Sequence, residues 1–276
     1  KIKLHYILFK DNKYANNYLL NSIFNIMLKI IDYRNKDFHY KQRVIIENCD
    51  ILLPNSLEEM KILCNDCNCS WEKIKEKVFV IPNAIELDSF VNDENAYIDL
   101  KNIKDYVLIV GRVEMNKNQL SVVKALMDYP NIPIVILGRV QDSKLDKIYY
   151  NKLIELSEVR GNVYFFKEVP HEVVKHFYTN AKVHVMPSYR ESPGLSTLEA
   201  LWYGCEVVTS SEAFCPVKYY KFDKYAHLCN PNNIVSIKNA ILEAFNTKKN
   251  TISKDYFDFF SYENVAKLTL EAYKYK

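Results

Sequence analysis

Glycine is scarce in this chain: five residues in 276, none before Gly111. A dinucleotide-binding turn spaced G-x-G-x-x-G needs three within six positions just after a strand. No such run occurs, which argues against a nicotinamide-dependent oxidoreductase. No apolar stretch reaches the roughly 18 residues of a membrane span. The nearest, "YLLNSIFNIMLKII" at 18–31, is broken by Asn21, Asn25 and Lys29. It reads as an amphipathic helix, with docking of its apolar face on a membrane surface as the alternative. Cys64, Cys67 and Cys69 form a tight cluster, but no second C-x-x-C or H-x-x-x-H supplies the fourth ligand a structural zinc site wants, so no metal is expected. The cysteines number seven and follow no signal peptide, which points to a reducing, cytoplasmic setting. A net charge of +3 with both signs interspersed gives no single-sign field, and hence no nucleic-acid footprint. There is no repeat and no low-complexity tract.

What is present is a chain that is 49% hydrophobic, long enough to bury a sizeable core and to favour two domains. From about residue 104 onward, short β-rich runs alternate with helical patterns. The strands expected are 106–111, 132–138, 162–166, 182–187, 206–210 and 226–229, separated by helical segments near 119–129, 147–158, 171–180, 195–203 and 233–246. Strict alternation predicts right-handed βαβ units and a doubly wound parallel sheet. The first 85 residues differ: a strand at "KIKLHYIL", long helical patterns, then strands at "CDILLPNS" and "KVFVIPN". They predict the C-terminal part of another α/β domain. The division expected is 1–85, then 86–256, then a helix at 257–276 that returns to the first domain. Residues 86–105 are polar, lack periodicity and read as a linker.

Ligands of an open parallel sheet bind beyond the carboxyl ends of its strands. Gly111-Arg112, Gly138-Arg139, "PSYRESPG" and Thr209-Ser210 all fall on that edge. Arg112 leaves a strand, and Lys117 stands at the entrance to the next helix, with Asn116 or Asn118 as its N-cap. Cations at a helix start oppose the macrodipole unless an anion is bound there. The pair therefore suggests a phosphate site. Glu191 and Glu199 lie eight positions apart around a Ser-Pro-Gly kink. Ser196 and Glu199 match a capping box, whereas nothing local explains Glu191. Carboxylates are poor phosphate neighbours but good acceptors from sugar hydroxyls. Two acids beside a cationic, amide-lined site suggest a ligand with phosphates between hydroxylated rings, which describes a nucleotide sugar.

The run "VLIVGRVEMNKNQLSVVKAL", then "VILG", then "NVYFFKEVPHEVVKHFYTNAKVHVMPSYRESPGLSTLEALWYGCEVVTS" resembles the donor-binding domain of the retaining GT-B glycosyltransferases of family 4. "CDILLPNSLEEMKIL" and "VFVIPNAIELDSF" extend the likeness to roughly 43–276. The resemblance implies a transferase of polysaccharide biosynthesis, with a nucleotide-diphosphate sugar as donor, a glycan or lipid-linked acceptor, retention of configuration, no cofactor and no metal. It implies a place in the cytoplasm or at the inner membrane face. It gives Arg112 and Lys117 the donor diphosphate, Glu191 the transferred sugar and Glu199 the ribose hydroxyls. Gly111 and Gly138 flank the site, and Pro193, Gly194 and Leu195 form the loop whose backbone meets sugar and phosphate. Val169 lies near the base, and His5 matches the family's active-site histidine. Asn118 stands where the family often has glycine, and Ser192-Pro193 where Gly-Phe is commoner. A non-catalytic nucleotide-sugar-binding subunit and a GT-B nucleotide-sugar epimerase are the alternatives.

Overall fold

A strand in the middle of a parallel sheet is covered on both faces, so both of its side-chain sets must be apolar. β1 (Tyr106–Val110) and β2 (Ile134–Leu137) meet it with apolar residues throughout, while β4 (Ala181–Met186) and β5 (Glu206–Ser210) are as deeply buried but carry polar residues, among them His184, Thr209 and Ser210. β3 (Val163–Phe166) and β6 (His227–Cys229) are less buried, as outer strands should be. The computed structural model describes residues 39–87, 103–192, 194–247 and 252–275. All six strands pair in parallel in the order β3-β2-β1-β4-β5-β6. The architecture is α/β and doubly wound, and each strand lies within two residues of its sequence-predicted place.

The first four crossovers carry α3 (Gln119–Ala125), α4 (Lys144–Arg160), α5 (His171–Asn180) and α6 (Leu195–Trp202); α7 (Ile234–Asn246) follows β6, and α8 (Tyr262–Tyr273) comes later. They cover the sheet to form a core that includes Tyr106, Phe177, Tyr178, Tyr220, Phe222 and Phe260. The chain forms two compact units, Lys1–Val80 and Ile81–Lys276. α8 belongs to the second. Ile85 is tied within that unit by donating its N–H to Phe260 O at 3.0 Å.

In the first unit, α1 spans 39–48 and α2 spans Leu57–Cys67. Asn68 closes α2 in the left-handed region at φ 53°, with Asn68 N–H donating to Asn65 O and Cys69 N–H to Cys64 O. This is a Schellman closure, whose usual side-chain contact joins the first and last of those six positions, here Cys64 and Cys69. Burial first, and neighbouring thiols next, push the Cys64 thiol up from its ordinary pKa. It packs with Met60 and Ile74 as a small hydrophobe. The two strands expected at "CDILLPNS" and "KVFVIPN" are instead one parallel bridge, Leu52 with Val78. Pro54 and Pro82 have no N–H to extend a ladder there. The expected strand at 1–8, the helical run 18–31, His5, and linker residues 88–102 lie outside the described residues. Among the described residues no helix is long and apolar enough to cross a membrane.

Arg160, in the last turn of α4, is only 6% exposed. Its guanidinium donates to five carbonyl oxygens, those of Leu126, Tyr129, Ile132, Gly161 and Asn162. These belong to the turn after α3, the approach to β2 and the turn before β3. One planar fork thus joins three irregular segments, adding a charged donor to carbonyls of which those of Leu126, Tyr129 and Asn162 also accept from backbone N–H groups. Arg160→Met keeps the stem and removes the fork. It should destabilise the second unit by about 2–4 kcal/mol, seen as a lower urea midpoint with an unchanged slope. A midpoint equal to wild type would show that the bonds contribute nothing net.

Candidate functional site

β1 and its neighbour β4 send their following loops in opposite directions, because the chain winds outward from β1 to β3 and then returns to the other side of β1. A crevice opens at such a switch point, beyond the carboxyl ends of the strands. Three loops border it: 111–118 after β1, 187–194 after β4 and 230–233 after β6.

The floor of the crevice depends on Gly138. A Cβ on Gly138 would stand 1.9 Å from Gly111 O, so no other residue fits where β1 and β2 end together. Lys117 crosses above Gly111, its Cε 3.9 Å from where a Cβ on that glycine would be. Its ammonium meets Glu191 Oε2 at 2.6 Å, with both side chains largely buried at 15% and 11% exposure. Ser188 Oγ donates to the same oxygen at 3.0 Å. The Glu191 stem lies against Gly194, where a Cβ would stand 3.7 Å from Glu191 Cγ. Gly194 adopts φ 58° at the N-cap of α6 and brings no side-chain cap. Of the residues singled out in the sequence, the structure therefore gathers Gly111, Lys117, Glu191 and Gly194 at one point.

Arg112 faces outward by comparison. Its side chain is 59% exposed and sits 3.5 Å from Glu114, while its carbonyl accepts from Gln119 Nε2. Lys117 is the last residue of a 3-10 turn, Met115–Lys117, and immediately precedes Asn118, the N-cap of α3. Leu195 and Val169 are half-buried and pack against the main core. Pro193 and His5 fall outside the described residues.

Glu199 does not cap α6. Ser196 is the second residue of that helix, two positions past the N-cap, and the expected capping box does not form. The Glu199 carboxylate instead accepts a 2.8 Å hydrogen bond from the Tyr178 phenol. Tyr178 is fully buried, and burial together with the Glu199 charge lifts its pKa well above the ordinary phenol value, so it remains a donor. Its ring stacks on Tyr203 at 5.7 Å and meets His184 edge-on. His184 is buried too. Burial, then the Lys117 charge, pushes its pKa down to about 3, and neither of its nitrogens has a hydrogen-bond partner among the described residues. A neutral imidazole there spares Lys117 a second cation.

Sequence reasoning offered Asn116 or Asn118 as the cap; Asn118 takes the N-cap position of α3 without a side-chain cap bond, and its other work was missed. Asn118 occupies the left-handed region at φ 59°, which only glycine and asparagine visit readily. Its amide donates to Pro187 O and Pro231 O, so one buried side chain ties all three bordering loops. Asn116 adds a second tie, donating to Arg190 O and accepting from Tyr189 N–H. The signal available in sequence was an asparagine at a position filled elsewhere by glycine. Tyr178 gave none, because its partner lies 21 residues away.

A family model described as glycosyl transferases group 1 matches residues 92–255, well over half of the chain. Among curated relatives, an uncharacterised glycosyltransferase of Methanocaldococcus jannaschii is 27% identical over 245 residues, covering 83% of this chain and 60% of that protein. The O-antigen chain mannosyltransferase B of Escherichia coli is 28% identical over 185 residues, covering 61% and 45% respectively. The chain spans between 40% and 60% of the length of the curated relatives it matches. Among solved structures, sucrose-phosphate synthase of Thermosynechococcus elongatus superposes with a TM-score of 0.68 at 21% identity, covering 98% of this chain and 64% of that one. HepE of Anabaena, solved with UDP and glucose, gives 0.69 at 15% identity, covering 86% and 67%. These likenesses place the doubly wound unit within the GT-B glycosyltransferase fold.

Asn118→Gly keeps the left-handed turn but loses two buried amide bonds, which should cost about 1–3 kcal/mol. Asn118→Ala adds roughly 1 kcal/mol of left-handed strain. Denaturant unfolding should rank them wild type, glycine, alanine; alanine at least as stable as glycine would contradict the assigned backbone.

Proposed function

The chain belongs to the glycosyl transferases group 1 family, and from that premise we propose that it transfers a sugar from a nucleotide-diphosphate donor, with retention of anomeric configuration, as a family 4 enzyme. The acceptor is a glycan or lipid-linked saccharide, as in polysaccharide biosynthesis. Residues 86–256 bind the donor, and 1–85 belong to the acceptor side. The enzyme works in the cytoplasm or at the inner membrane face. One observation carries this reading: Lys117, Glu191 and the start of α6 meet at the β1/β4 switch point.

The donor diphosphate lies against the free amides at the start of α6, where the helix macrodipole favours an anion. Lys117 supplies the principal charge, and Arg112 a second, more exposed one. Departure of a nucleoside diphosphate from an oxocarbenium-like sugar needs stabilisation of the leaving charge more than a strong base. With two cations and a helix start in place, binding requires no metal and no cofactor. Glu191 accepts hydroxyls of the transferred sugar, Glu199 the ribose diol, and Val169 lies near the base.

The ion pair adds a condition. The Lys117 ammonium is held by Glu191 at 2.6 Å, so a diphosphate has to compete with that carboxylate for it. Lys117→Ala should weaken binding of the preferred diphosphate among UDP, GDP and ADP about tenfold to hundredfold, and Arg112→Ala less. Glu191→Gln removes the competitor. It should bind the bare diphosphate as tightly as wild type or several-fold more tightly, yet lose affinity for the intact nucleotide sugar. Calorimetry with and without chelator checks all of this. No binding of any of the three, strict dependence on a divalent cation, or weaker diphosphate binding by Glu191→Gln would each overturn its part of the reading.

A further inference from the structure

We propose that Tyr178 is a positioning residue for the donor nucleoside: its phenol fixes the Glu199 carboxylate in the orientation that receives the ribose diol. The inference rests on the reading of Glu199 as the ribose acid, and extends it to a residue on a different crossover.

A glutamate on a partly exposed helix has three rotatable bonds and, left to water, samples many rotamers at little cost. A vicinal diol needs the opposite. Each of its two hydroxyls must find an acceptor oxygen at once, and any rotamer freedom is lost again on binding. In α6 the residues flanking Glu199, which are Leu198 and Ala200, are fully buried, so the helix itself is fixed by the core. What remains to be set is the carboxylate. Tyr178 donates to it: its Oη lies 2.8 Å from Glu199 Oε2.

Tyr178 is suited to that task because it cannot move. It is 1% exposed. Its ring lies almost parallel to that of Tyr203, with 8° between their planes. Tyr203 is one helical turn beyond Glu199, and its N–H donates to Glu199 O at 3.0 Å, so ring and carboxylate share one face of the turn. Behind the ring, Cys205 Sγ donates to Tyr178 O. The phenol thus connects the acid to the β4–β5 part of the core. A carboxylate offers about four acceptor positions, and Tyr178 occupies one. Being a neutral donor, it orients Glu199 without cancelling its charge, as a lysine would.

The test uses Tyr178→Phe, which keeps the ring and its stack, and compares the preferred ribonucleoside diphosphate with its 2′-deoxy analogue by calorimetry. Wild type should favour the ribonucleotide about tenfold. Tyr178→Phe should bind the ribonucleotide several-fold less tightly and the deoxynucleotide unchanged, so that discrimination falls towards that of Glu199→Gln. If Glu199→Gln abolishes discrimination while Tyr178→Phe retains it, the positioning role is wrong and the ribose reading stands. If Glu199→Gln discriminates like wild type, the ribose reading fails and takes this inference with it. Equal losses on both nucleotides in Tyr178→Phe would mean a structural role only. Should that variant not fold, Glu199→Asp withdraws the carboxylate from the phenol by one methylene while keeping its charge. The same fall in discrimination is then expected, and wild-type discrimination would refute the proposal.

Discussion

The divergence of the crossovers beside β1 is the constraint on which the rest of this chain depends. Right-handed connections take the chain from β1 to β3 in one direction and from β4 to β6 in the other. The loops leaving β1 and β4 must therefore part, and no crossover covers the gap between them. Loop backbone at such a gap has no ladder to satisfy it, so side chains do so instead. Asn116 and Asn118 bond carbonyls across the gap, and Ser210 Oγ donates to Ser188 O from the end of β5. The result is a border that is polar and still rigid. Gly138 allows the strand ends beneath it to approach as closely as they do.

Electrostatics follow from the same geometry. An ammonium as enclosed as Lys117 would be costly if unpaired, so the crevice carries its own counterion in Glu191. The pair is strong enough to hold the site in shape and, because both groups remain slightly exposed, open enough to exchange partners. His184 lies beneath and stays neutral, which leaves Lys117 as the cation of that floor. Arg112, at 59% exposure, is screened by solvent and adds less. The two basic residues that look equivalent in the sequence are thus unequal in the fold.

Most of the second unit was legible in the sequence, because strands buried on both faces leave continuous apolar runs that little else produces. The site loops were legible from scarce glycines and paired acids. Three features were not, each for a stated reason. Pro54 and Pro82 stop a ladder that apolar content alone predicts, leaving one bridge at Leu52 and Val78. The Ser196–Glu199 spacing matches a capping box, yet Gly194 takes the N-cap in the left-handed region and moves Ser196 into the helix. Arg160 and Tyr178 bond to partners beyond their own elements, and spacing along a chain carries no record of such contacts. Arg160 left a faint trace, a basic residue in the last turn before Gly161, where helix carbonyls lack donors.

The two acids that share one motif end in opposite surroundings, and the contrast bears on what each can do. Glu191 is matched by a cation and a hydroxyl; Glu199 by a phenol that burial keeps protonated. With a donor bound as proposed, an acid neutralised by a cation would change character as that cation turned to the phosphate: it would regain an unbalanced negative charge beside the atom where positive charge develops. An acid oriented by a neutral donor keeps the same charge and direction throughout. The first arrangement suits the part of a donor that reacts, and the second suits the part that must be held still. Eight residues of loop and helix start are enough to separate them, because the left-handed turn at Gly194 directs the chain before it towards Lys117 and the helix after it towards Tyr178.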